Sequence, residues 1–174
     1  LGVLYFVFST MFKFDIPNFP IYLLLGIIVY NCFKNATTFA LSSLSNRSAL
    51  ITQIYFPRSI PSISSAITAA IMLAIEVGIL AVFMIALDFV PPITILLLPL
   101  VLALEFLFVV GVCLPLSVLN VKFKDTEFIW GVVLSAGFFL TPIFYQFDML
   151  PEYVQNILQF SPMVQILTMA HHVV

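Results

Sequence analysis

The chain has 174 residues, 63 % of them hydrophobic and 8 % charged, with a formal net charge of -2 and a mean hydropathy of +1.20. These values lie far outside the range of ordinary soluble domains, and with no basic patch they exclude a nucleic-acid binder. Repeated apolar runs of ~20 residues, each long enough to cross a ~30 Å hydrocarbon core, define an all-α, multi-pass membrane bundle rather than a barrel.

In chain order, Leu1 to Phe12 reads as the end of a first span and Lys13 to Pro20 as a polar, turn-prone link. A second span follows from about Ile21 to about Leu41. Asn46 to Arg58 is then the longest polar interruption and has a helical pattern of its own. Leu50, Ile51, Ile54 and Tyr55 share one face, while Arg47, Ser48, Thr52 and Gln53 fall mostly on the other. Ser45 or Asn46 caps this short helix, Pro57 stops it, and its place between spans lays it on the bilayer surface. The third span runs from Ser59 to about Leu87, and Asp88 to Pro92 is a tight break. The fourth, from about Ile93 to Leu119, contains Pro99 and Pro115, which are expected to kink it. Asn120 to Phe128 is a second charged loop, and a fifth span from about Ile129 to about Phe139 continues into Thr141 to Tyr145. Gln146 to Val174 carries Asp148, Pro151, Glu152 and Pro162 among apolar residues, the pattern of two short helices that dip into the interface and turn back.

This gives about five spans in one transmembrane domain, residues 1–174, and its apolar first and last residues are those expected of a fragment shortened at both ends. Arg47, Arg58, Lys122 and Lys124 lie in the two loops that share a side, whereas the opposite loops hold Lys13 and the acids Asp15, Asp88, Asp148 and Glu152. The basic loops are therefore cytoplasmic, in a cell membrane that is either plasma or bacterial inner.

Lys34, Glu76 and Glu105 fall inside spans, where burial is costly and each must face protein or water. They serve either as interhelical polar contacts or as a proton path. No catalytic constellation or phosphate-binding glycine loop is present, so ATP hydrolysis would need another chain. Adjacent His171 and His172 do not share a helix face as a zinc pair does, and no metal site is expected. Cys32 and Cys113 lie in spans and read as small buried hydrophobes. Most of the 19 Phe and 6 Tyr fit interfacial belts, and a few would suit a path for sugar rings.

Several of these stretches resemble the membrane permeases of ABC exporters that move O-antigen, capsule and teichoic-acid precursors. The residues carrying the resemblance are Asn46, Leu50-Ile51 and Phe56-Pro57 in the first loop, then Val121, Phe123 and Asp125 in the second, where Lys124 replaces the family's Arg. Thr141-Pro142-Ile143-Phe144-Tyr145 is similar to the family's Ser-Pro-Ile-x-Tyr, and Ser161-Pro162 stands in place of its Asn-Pro. The resemblance implies a coupling loop at residues 44–58, with Asn46, Arg47, Leu50, Ile51, Ile54, Phe56 and Pro57 meeting an ATP-binding cassette subunit. Lys122, Lys124 and Asp125 would form the second cytoplasmic contact, and Pro142, Tyr145 and Pro162 would belong to an outer gate at residues 143–174. It further implies a homodimer embedded in membrane lipid, a lipid-linked polysaccharide as cargo, and ATP and Mg held by the partner subunit. A permease for a lipid or drug and a proton-coupled carrier using Glu76 and Glu105 are the alternatives, with a membrane enzyme a more distant one.

Overall fold

The computed structural model describes residues 19–45, 59–145, 147 and 151–174. Among these, the order is α1 (Phe19–Ser45), α2 (Ser59–Ala86), a 3-10 turn (Ile93–Leu97), α3 (Leu98–Lys122), α4 (Thr126–Leu140), α5 (Glu152–Leu158) and α6 (Pro162–Val173). No strand occurs among the described residues. Three stretches, Phe19–Ser43, Ile60–Ala86 and Ile93–Lys122, are long and apolar enough to cross a membrane. With 15 residues, α4 is about 22 Å long at 1.5 Å per residue, short of a full hydrocarbon core.

The bundle is built around α1. Buried residues make up 61 % of its apolar stretch, against 22 % for α2 and 22 % for α3, both of which pack on it. Inward positions on α2 are Ser62, Ala66, Ala69, Leu73, Leu80 and Met84, spaced close to a heptad, and the small ones lie in its first half. Small side chains let helix backbones approach closely, which is how helices associate where lipid removes the hydrophobic drive. Ile67, Ile71, Ile75 and Ile79 point outward on the opposite face, as lipid requires. On α3 the inward stripe runs Val101, Glu105, Val109, Cys113, Leu116 and Asn120, three or four residues apart. α4 is the least embedded long helix, with Leu134 its one buried side chain.

The structure moves several boundaries. Asn120 to Phe128 is not a nine-residue loop: α3 stays helical through Lys122, α4 begins at Thr126, and only 123–125 lie between them. The backbone amide of Phe123 still bonds Leu119 O at 2.8 Å, so the helix carries its basic end outward before the chain reverses. Pro99 falls in the first turn of α3, where the span passes from the 3-10 turn into the α-helix and a missing amide hydrogen costs nothing. Pro115 does sit inside that helix. Residues 151–174 form two short helices, α5 and α6, neither long enough to span. The first span, the link to Pro17 and the whole helix expected at Asn46 to Arg58 lie outside the described residues.

Candidate functional site

Two polar assemblies close the two ends of the bundle. At the end where α1 finishes and α2 begins, Asn120 Nδ2 donates to Leu41 O at 2.7 Å across the α1–α3 contact, and Asn120 is buried. One turn earlier on α3, Ser117 Oγ accepts a 2.6 Å bond from Ser62 Oγ of α2 while donating to Leu114 O at 2.8 Å. Lys122, Lys124 and Asp125 are exposed beside this assembly, with Lys122 Nζ 5.4 Å above the Phe123 ring. Lys124, Asp125 and Glu127 rim a shallow depression of about 630 Å³ that continues along α4 past Gly131 to Ser135.

The opposite end joins α1, α6 and residues 141–145. Tyr22 Oη of α1 donates to Tyr145 O at 3.0 Å, and Tyr145 Oη donates to Leu140 O at 2.9 Å. The His171 ring of α6 stacks on Tyr22 with centroids 3.6 Å apart, and its Nε2 donates to Tyr22 O at 3.2 Å. That bond requires the hydrogen on Nε2, which leaves Nδ1 a buried acceptor with no partner among the described residues. Burial pushes the His171 pKa down to about 3, a charged His172 beside it works in the same direction, and the bond to Tyr22 O opposes both. Thr94 Oγ1 ties the start of the fourth span to α6 through Val173 O at 3.0 Å. Gly26 makes this packing possible: a Cβ there would stand 3.2 Å from His171 Nε2 and 3.2 Å from Ile143 Cγ2.

Of the other singled-out residues, Pro142 is fully buried under Tyr22, Tyr145 is half-buried, and Pro162, itself exposed, opens α6. The structure brings Pro142 and Tyr145 together and leaves Pro162 apart from them. Inside the bundle, Glu105 is fully buried, Glu76 half-buried and Lys34 exposed on α1. The polar neighbours of the Glu105 carboxyl are the Cys32 thiol of α1 and Glu76 of α2. Several aromatics pack on one another along α1: Phe33 stacks on Phe108 at 5.6 Å, and Tyr30 meets Phe138 edge-on at 5.3 Å. Asn46, Arg47, Leu50, Ile51, Ile54, Phe56 and Pro57 lie outside the described residues.

These two polar ties hold a multi-pass helical bundle at both ends, and residues 2–173 match the family described as ABC-2 type transporter. The chain belongs to that family. Its relatives include two permeases of Klebsiella pneumoniae named O-antigen export system permease protein RfbA, one 26 % identical over 166 residues and one 25 % identical over 166 residues. A third, of the same name and from Myxococcus xanthus, is 25 % identical over 164 residues. The alignments cover 95 %, 95 % and 93 % of this chain and 64 %, 64 % and 63 % of those proteins. The chain thus spans just under two thirds of the length of the relatives it matches. It is an integral membrane chain of a transport family, crossing the bilayer several times.

The residues that pattern reading missed are Tyr22, Ser62, Ser117, Asn120 and His171. Ser117 and Asn120 left one usable signal, two polar residues three apart in an otherwise apolar helix, which marks a single face seeking partners. A tyrosine near a span end reads as part of an aromatic belt, and nothing in one sequence says that its hydroxyl closes a loop 123 residues away.

Proposed function

We propose that this chain is the membrane subunit of an ABC exporter that moves a lipid-linked polysaccharide out of the cell as a homodimer with two ATPase subunits. The observation that carries the reading is the family match over residues 2–173 together with three relatives named as O-antigen export permeases. The chain has no catalytic role in this reading; ATP and Mg sit in the partner subunits. ATP-driven closure of those subunits is received by Asn46, Arg47, Leu50, Ile51, Ile54, Phe56 and Pro57, with Lys122, Lys124 and Asp125 as a second contact. Pro142, Tyr145 and Pro162 belong to the outer exit.

The test is purification of the complete permease from its own cells in detergent, scored for a bound ATPase. Leu50→Asp with Ile54→Asp should cut the bound ATPase by at least about tenfold while the permease stays folded, because a charge forced into an apolar contact is not compensated there. Unchanged binding would remove residues 46–58 from the docking role, and no ATPase on the unmodified permease would sink the exporter reading.

A second reading, a proton-coupled carrier, is favoured by one observation, the fully buried Glu105 carboxyl with Glu76 on the facing helix. The exporter reading expects Glu76→Gln and Glu105→Gln to leave cell-surface glycan within about twofold of the unmodified level, since neutral isosteres remove only the burial cost. A carrier that moves protons through these acids would lose transport altogether in the same variants.

A further inference from the structure

Both hydrogen bonds at the cytoplasmic end run through one face of α3, and they reach the two helices that bracket residues 46–58. Asn120 holds Leu41, one turn from the end of α1, and Ser117 holds Ser62, in the first turn of α2. All three side chains are buried, so water does not compete for either bond. Immediately before this pair lies Pro115, which withholds the amide hydrogen that Gly111 O would otherwise accept and so weakens α3 at that point. The last turns of α3 are thus tied sideways to α1 and α2 just beyond the point where the helix ladder lacks a bond. Immediately beyond them come Lys122, Lys124 and Asp125.

We propose that Asn120 is a positioning residue for energy coupling: with Ser117 and Ser62 it clamps the ends of α1, α2 and α3 into one block that moves about Pro115. Both cytoplasmic contacts then shift together when the ATPase subunits close. This rests on the exporter reading above and adds to it the element through which the motion enters the bundle. The chemistry of the position points the same way. Asn120 Oδ1 is buried with no partner among the described residues, so the side chain is a poor packing choice whose one satisfied function is the donation to Leu41 O. Leucine of similar size should fill the site with little loss of stability, because Leu41 O sits within α1 and leucine brings no polar atom that must be satisfied. A purely structural Asn120 would therefore change nothing when replaced, whereas a coupling Asn120 would change transport alone.

The experiment uses the complete permease in its own cells and then purified with its ATPase. Asn120→Leu should assemble with the ATPase and hydrolyse ATP within about twofold of the unmodified complex, while surface glycan falls about fivefold, the factor that one hydrogen bond of about 1 kcal/mol corresponds to. Asn120→Gln, which keeps an amide donor, should recover part of that loss. Ser62→Cys with Ser117→Cys, oxidised to a cross-link, should keep transport, because a block that moves as one is not hindered by a bond inside it. Unchanged glycan in Asn120→Leu, or transport abolished by the cross-link and restored by reductant, would overturn the clamp. Failure of the unmodified permease to bind an ATPase would instead overturn the exporter reading, and the clamp with it. Should Asn120→Leu fail to fold, the cross-linked variant decides alone.

Discussion

Gly137→Leu is expected to prevent α4 from docking and to leave little folded protein. A Cβ at Gly137 would lie 2.9 Å from Tyr30 Oη, inside the distance that packed atoms tolerate. The tyrosine has nowhere to go. Its ring is buried between Phe33 and Phe138, and its hydroxyl donates to Leu134 O at 2.5 Å, one turn from Gly137. Overpacking costs about 1–3 kcal/mol and an orphaned buried hydroxyl about as much again. A loss of roughly 3–5 kcal/mol is a large share of the ~5–15 kcal/mol that holds a typical domain together. Since Leu134 is the one buried side chain of α4, that helix has few other contacts to fall back on. The contact can be isolated with smaller changes. Gly137→Ala alone should lower the melting temperature despite alanine's advantage of ~1 kcal/mol within a helix. With Tyr30→Phe the offending oxygen is gone and the ring carbon behind it stands at 3.9 Å, so the double variant should be more stable than the sum of the singles predicts. Strict additivity in thermal unfolding of the detergent-solubilised permease would show that the close approach has no energetic weight.

The same pair of residues shows where sequence reading stops. Spans were legible because an apolar run of ~20 residues has few other uses, and α1, α2 and α3 begin and end within a few residues of expectation. The errors fall at helix ends. Phe123 to Asp125 suffice to reverse the chain, so Asn120 and Lys122, polar enough to read as loop, remain helical. Pro99 reads as a kink until its register within the helix is known, and at the first turn a proline is welcome. Which polar residues face inward was less legible still. Lys34, Glu76 and Glu105 look alike in sequence, yet one is exposed, one half-buried and one fully enclosed, because periodicity in a helix that is apolar all round does not mark the inner face. Tyr30 looked like any aromatic of a span. Its role depends on a glycine 107 positions later, a tertiary fact with no local trace.

The assembly that joins α1, α6 and residues 141–145 should be acid-labile, and His171 is the reason. The folded state holds its imidazole neutral, with a pKa pushed from 6.5 to about 3 by burial, so the unfolded chain binds the proton more readily. Stability from this group is therefore fully present above about pH 6.5 and drains away as pH falls toward about 3. At 1.36 kcal/mol per unit, the loss is roughly 2 kcal/mol by about pH 5. The proton would arrive on Nδ1, which has no acceptor among the described residues, and its charge would sit against the Tyr22 ring, Gly26 and Ile143. Residues 141–145 should feel it through Tyr22, whose hydroxyl holds Tyr145 O. His171→Phe separates titration from packing, since its ring still stacks on Tyr22 but gives up the bond to Tyr22 O. At neutral pH it should cost about 1 kcal/mol. On acidification the order should reverse, the unmodified protein losing melting temperature faster and falling below the variant at about pH 6. Groups remote from α6 are common to both proteins and cancel from the difference. Parallel melting curves across that range would mean that the ring reaches solvent before the fold yields, and that the tie between α6 and α1 opens locally at little cost.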